Sequence, residues 1–503
     1  MPPHPAVPDG VDQTHDIPPA VAPIPVAPAV PAPVPNPPPA PPAAPRRGRT
    51  VGMAAVVTLI AVTLARAFGA PSWLFVVAAA AALALIASGF SLINSRLRNT
   101  SFILFIIAAL ALPFARAPVA ALERGIFIAA LLISVTSSVM LIARCAMQSH
   151  RIGFIGAGLR ERQGSRRYLS FALASQFFSG ILGLAGANLM YIMAAPSTEG
   201  KSEGRTETVV AVGRGFAAAS CWSPVFGNMA ILLALYPTLS WLEVFPVGLA
   251  LGQVTIVVGA LMNLAALSRL PAPQSPPAIL TPMSTLLRSS LPLMISLLTL
   301  LALIMTASWL LHIVISAAIV LLAPFVSLLF NAATGRAGHR VADGVAGLGR
   351  AMENFGALAS EALLFMAAGC AGSVLADAIP TPWIAAIGAA LSGHQFLGLS
   401  FLVAAIIGTS LAGVHPVLSA VFLASSLPPP VLGLPPITHM AAILAGWGLS
   451  ANMTPFSVIS LTASRYAGIG PGEISFGRNW RFALTNAVVI CAALAAFAWM
   501  LRA

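Results

Sequence analysis

Runs of about twenty apolar residues, the length that lets one helix cross a bilayer, recur along almost the whole chain. In lipid every backbone N–H and C=O must find a partner within the protein, so helices and closed barrels are the only spanning structures. Eleven spanning segments are predicted, at 51–67, 72–93, 101–118, 125–144, 208–236, 242–268, 289–306, 308–330, 355–378, 436–466 and 481–501. Two further runs, 168–196 and 396–427, are as long but Gly-rich and interrupted. They read as re-entrant hairpins that enter and leave by one side, which is tolerated where protein or a cavity covers the turn. The expected fold class is an all-α polytopic membrane protein, with 11 transmembrane helices and two re-entrant hairpins.

Composition agrees. Of 503 residues 58% are hydrophobic and 8% charged, and the mean hydropathy is +0.91. The net charge of +12 comes almost wholly from arginine. A nucleic-acid partner would need these charges on one soluble face; here they lie between apolar runs, as in cytoplasmic loops. With the N-terminus inside, the segments 46–50, 94–100, 145–167, 197–207, 269–288, 331–350 and 467–480 hold 18 of the 26 Lys and Arg, against Arg124 alone in the outer loops. Counting 168–196 as a full span would destroy that bias. The expected location is a bacterial inner (plasma) membrane. Cys145, Cys221, Cys370 and Cys491 have no metal-ligand spacing and read as small apolar filler.

Residues 1–50 form an N-terminal segment whose first 45 residues are rich in Pro and Ala, expected to be disordered, PPII-like and cytoplasmic. It lacks the basic and apolar regions of a signal peptide. It is either a solvated tail or a docking site for a proline-binding module.

The remainder divides into two related halves, 51–270 and 271–503. In the first, the hairpin 168–196 precedes a helix, 208–236, broken at Ser223-Pro224. In the second, the hairpin 396–427 precedes a helix, 436–466, broken at Thr454-Pro455. Both hairpins carry Leu-Ala-Gly, ending at Gly186 and Gly413, a separation of 227; the prolines, 224 and 455, are 231 apart. The first hairpin is expected to open to the cytoplasm and the second to the outside, so the halves are inverted, a frequent construction of secondary transporters. A proline within a helix frees backbone groups. Half-helix N-termini then offer partial positive charge to an anion, and carbonyl ends suit a cation.

Two hairpins and two broken helices in this order, with the segment "LSANMTPFSVISLTASRYAGI", resemble the ion transporter superfamily over residues 51–503. The nearest branch is the divalent anion/sodium symporters, the citrate- and dicarboxylate-type carriers. The resemblance implies elevator-type movement in a homodimer. It also implies sodium and carboxylate ligands at the hairpin tips, where the family has Ser-Asn-Thr. This chain has Gly186-Ala187-Asn188 and Gly413-Val414-His415-Pro416 there, with Asn188 in common.

The candidate substrate-binding residues are Asn188, Ser223, Pro224, His415, Asn452, Thr454, Pro455 and Ser457. Candidate ion-coupling residues are Gly186, Ala187, Gly413, His415 and Glu361. Asparagine offers donors and an acceptor. The hydroxyls of Ser223, Thr454 and Ser457 either meet substrate or refill carbonyls freed by proline. His415 either carries a proton or caps its turn. Glu361 either carries a proton or pairs with an arginine such as Arg116. Asn228, one turn past Pro224, is a weaker candidate, and Arg214 reads as a snorkelling interfacial arginine.

No enzyme motif is present: "GKSEG" at 200–204 lacks the spacing of a phosphate-binding loop, and there is no HExxH or CxxC. The expected function is secondary active transport of a small, anionic, carboxylate-like solute coupled to H+ or Na+, with no cofactor. The alternatives are a cation/proton antiporter of the same superfamily and a membrane assembly or export component.

Overall fold

The computed structural model describes residues 46–148, 151–195, 204–267, 281–336 and 338–501. Residues 1–45 of the tail expected to be disordered lie outside them, while 46–50 open the first helix rather than belonging to a disordered tail. Among the described residues every regular element is helical. The first four helices are α1 (Arg46–Ala67), α2 (Leu74–Gly89), α3 (Ser95–Ala111) and α4 (Pro118–Met147). The short α5 (Arg151–Arg160) leads to a pair, α6 (Gly164–Leu182) and α7 (Leu184–Ala194). Next come α8 (Arg205–Ser220), α9 (Gly227–Leu235) and α10 (Trp241–Leu267).

The second part begins with α11 (Met283–Leu311), α12 (Ile315–Ala333), α13 (Arg340–Met352), α14 (Ala359–Ala378) and the short α15 (Thr381–Leu391). A second pair follows, α16 (Gln395–Leu411) and α17 (Pro416–Ser426), then α18 (Pro436–Met453) and α19 (Val458–Ala467). A π-helical stretch, Glu473–Asn479, opens the last helix, α20 (Trp480–Met500).

Among the described residues 10 helices are long and apolar enough to cross a membrane, so the chain is an integral, polytopic, all-α membrane protein. They correspond to ten of the eleven expected spans. The eleventh, 208–236, is two helices of 16 and 9 residues, because Pro224 interrupts the ladder and neither piece is long enough alone. The expected span 101–118 also stops early: α3 ends at Ala111, just before Pro113, and Pro118 starts α4.

The apolar side chains form one large core that gathers α5–α12, α16–α20 and one face of α4. A second core joins α1, α2, the other face of α4 and α14. Between them a small cluster links α3, α4, α9, α14 and α17. Small residues permit the closest crossing: a Cβ on Gly125 of α4 would lie 2.6 Å from Cys370 Cα of α14. Arg144, near the other end of α4, donates to Arg350 O at 2.9 Å. Gly125 therefore meets a late residue and Arg144 an early one, and α4 runs antiparallel to α13 and α14.

Candidate functional site

Both proline steps break their helices. Pro224 has no N–H, so Ser220 O, one turn back, loses its helical donor. Asn228 replaces it: Nδ2 donates to Ser220 O at 3.0 Å, while Oδ1 accepts Met229 N–H at 2.9 Å. Ser223 Oγ accepts Val225 N–H at 3.2 Å and donates to Gly180 O at 2.5 Å, which ties the break to the end of α6.

Pro455 frees Ala451 O in the same way. Ser457 Oγ donates to it, and Ser460 Oγ reaches it at 3.3 Å. Thr454 Oγ1 accepts Phe456 N–H at 3.3 Å, and Ser457 Oγ caps α19 by accepting Ser460 N–H at 2.9 Å. Of these hydroxyls Ser457 meets the carbonyl freed by its proline, while Ser223 and Thr454 bond other backbone groups.

The helix pairs turn at glycines in the left-handed region, Gly183 (φ 58°) and Gly413 (φ 86°). The first turn is thus not at Leu184-Ala185-Gly186. Those residues and Ala187 form the first turn of α7, where Gly186, having no Cβ, lets α7 pack against the Phe178 carbonyl of α6. The second turn falls where expected. His415 closes it as the N-cap of α17, its Nδ1 accepting Val417 N–H at 3.2 Å. The imidazole lies edge-on to Trp447 of α18 and Phe365 of α14, at 6.1 and 6.3 Å between centroids. A Cβ on Gly413 would lie 3.9 Å from the Phe456 ring, so the second turn faces the second break.

The broken helices meet each other directly. Asn452 Nδ2 donates to Gly213 O at 2.9 Å, and a Cβ on Gly448 would lie 2.8 Å from Ala217 O. Residue 213 pairs with 452 and 217 with 448, so α8 and α18 run antiparallel. Asn452 is buried in this crossing and its amide N–H is committed to it.

Asn188 differs. It lies half-buried in the second turn of α7, and no hydrogen bond to its side chain is found among the described residues. Glu361, in the first turn of α14, has a buried Oε2 without a partner. Arg116 does not pair with it: that guanidinium donates to Asp377 O at 3.1 Å and to Thr381 Oγ1 at 3.4 Å. Four residues separate Glu361 from Phe365, so both lie on one face of α14, the face that meets His415.

Arg214 is buried, 7% exposed, and does not snorkel. Its guanidinium donates to Asn479 Oδ1 at 3.0 Å, Arg478 O at 2.8 Å and Tyr168 Oη at 3.2 Å, and stacks 4.3 Å above the Phe482 ring. Sequence reading overlooked this π-helix clasp, and also Tyr191, Trp447 and Phe456 around the breaks. Tyr191 stacks on Tyr466 at 5.8 Å. Aromatic residues inside an apolar run carry no periodic signal that separates a site from a core.

The charge pattern follows from the backbone. Each of the four short helices α7, α9, α17 and α19 begins at a turn or a break, with its N-terminal amides and partial positive charge there. Among the described residues no group of three or more His, Cys, Asp or Glu is arranged to hold a metal ion.

The fold and these breaks define a polytopic helical membrane protein with interrupted helices. No protein-family model and no curated protein matches the chain. Among solved structures 11 chains match. One is the YdaH transporter of Alcanivorax borkumensis, a crystal structure described as revealing an unusual topology. It is 14% identical over 79% of this chain and 98% of that one, with a TM-score of 0.46. A likeness of that extent identifies neither a family nor a substrate.

Proposed function

We propose that the chain is a secondary active transporter of a small, anionic, carboxylate-like solute, coupled to H+ or Na+ and moving by an elevator mechanism, in a homodimer. The observation that carries this reading is that four short helices all begin at a turn or a proline break. Their N-terminal ends offer an anion partial positive charge, although side chains such as His415, Ser457 and Asn228 already cap some of their amides. In this reading the helix pairs α6–α7 and α16–α17 are re-entrant hairpins, and the solute lies between their tips and the breaks at Ser223-Pro224 and Thr454-Pro455. Asn188 is the leading side-chain ligand, because its amide is open.

An inverted repeat is supported by element spacing. The starts of α6 and α16 (164 and 395), α8 and α18 (205 and 436), and α9 and α19 (227 and 458) are each 231 residues apart. Ala217 and Gly448, also 231 apart, touch each other, and their helices are antiparallel. A residue that meets its own counterpart across antiparallel helices is what an inverted two-fold axis requires. The division of the apolar interior into two large cores supports a mobile part and a scaffold.

Glu361 and His415 are the proposed coupling groups, with Gly186, Ala187 and Gly413 as backbone neighbours. The unpartnered Oε2 of Glu361 also favours a second reading, a cation/proton antiporter. Thermal-shift measurements on the purified chain separate the two, using carboxylates, sulfate and sugar acids with and without sodium at two pH values. Stabilisation by an anion is expected. Stabilisation by sodium alone, lost in Glu361→Gln, would establish the antiporter, and no response to any anion would remove the anion-carrier reading.

A further inference from the structure

An apolar cavity lies beside the α16–α17 pair. Its volume is about 610 Å³, and it runs between α14 on one side and the pair α16–α17 on the other, with α3 and α15 closing its ends. Its walls are apolar, including Ile379, Phe401, Ala405 and Phe422. The polar side chains in it, Thr409 and Ser419, are already satisfied. They bond each other at 2.6 Å, and Thr409 also donates to Ala405 O at 2.8 Å. The walls therefore ask for hydrocarbon and offer a polar ligand nothing.

The mouth is different. Phe114 and Trp383 line it and are 75% and 65% exposed, and aromatic residues so placed mark the headgroup level of a bilayer. Arg116, two residues past Phe114, donates to Asp377 O and Thr381 Oγ1, which flank the lining residues Ala378, Ile379 and Pro380. The Asp377 carboxylate is engaged elsewhere, accepting Ala117 N–H at 2.6 Å and pairing with Arg124 at 3.7 Å. Glu123, next to Arg124, forms no ion pair among the described residues. Arg116 is thus a cation fixed by neutral oxygens, with Nη2 uncommitted, at the mouth of an apolar groove in a membrane-embedded chain.

We propose that this groove binds one membrane glycerophospholipid, its phosphate on Arg116 and an acyl chain between α14 and the α16–α17 pair. The inference stands whether or not the chain carries an anion, because it uses none of the residues at the turns and breaks.

Native mass spectrometry of the full chain in mild detergent, titrated with phosphatidylglycerol, tests it. The parent is expected to bind one lipid more tightly than any further ones. Loss of a charged hydrogen bond makes Arg116→Gln about tenfold weaker. Ala405→Trp and, from the opposite wall, Ala378→Phe fill the groove and abolish the tight site. Arg288→Gln, which removes an exposed arginine of α11, leaves it unchanged. Diacylglycerol with the same chains binds the parent as weakly as phosphatidylglycerol binds Arg116→Gln. The proposal is overturned if Arg116→Gln and whichever groove-filling variant folds retain phosphatidylglycerol like the parent. It is equally overturned if diacylglycerol competes on equal terms.

Discussion

At the scale of single residues the asparagines divide by what already occupies them. Asn228 is spent within the protein: it supplies the donor that Pro224 denies to Ser220 O. Replacing it by alanine leaves that buried carbonyl unpaired, and the expected loss of stability is about 1–3 kcal/mol, seen as a lower melting temperature. Asn188→Ala behaves oppositely. With no partner to lose, stability stays within about 0.5 kcal/mol, while stabilisation by a bound solute disappears. His415 separates its two roles by substitution. Asparagine preserves the cap on α17 and removes the second ring nitrogen, so His415→Asn keeps the melting temperature but abolishes any pH dependence of transport that runs through the imidazole. Unchanged pH dependence in that variant would leave His415 a cap only. The sequence pointed to all these polar residues, because hydroxyls, amides and prolines stand out in apolar runs. It could not tell spent from open ones, since that depends on which carbonyl each side chain meets after the helix breaks.

At the scale of elements the crossing of α8 and α18 is the most constrained contact. A methyl group on Gly448 would meet Ala217 O at 2.8 Å, a backbone atom that cannot swing away. Gly448→Ala is expected to cost about 1–3 kcal/mol. Gly408→Ala, in α16 with nothing within 4 Å, should be neutral or gain about 0.5–1 kcal/mol from helix propensity. Equal melting temperatures for the two variants would contradict the close approach. The proline breaks were legible because proline acts locally. The first turn was misread because a matching Leu-Ala-Gly tripeptide does not make a turn; a left-handed glycine does. With Gly183 and Gly413 as the turn residues the separation becomes 230 rather than 227, close to the 231 of the prolines. The helix expected at 208–236 with a break at Ser223-Pro224 is two helices, Arg205–Ser220 and Gly227–Leu235, on either side of that step.

At the scale of the whole molecule the arginine distribution makes a topological prediction. A cysteine placed at Gly470 should react with a membrane-impermeant maleimide only from the cytoplasmic side, and one at Ser240 only from outside. The four native cysteines are buried and give little background. Labelling of both positions from one side would reverse the assignment of the halves. Uptake into proteoliposomes shows whether the turns and breaks form a carrier site. The full chain is reconstituted with the anion that best stabilises it, under an inward proton or sodium gradient. Accumulation above the external concentration is expected, with collapse when an ionophore removes the gradient and loss of uptake in Asn188→Ala. Uptake no greater than in empty liposomes under both gradients would rule out a carrier site at the turns and breaks.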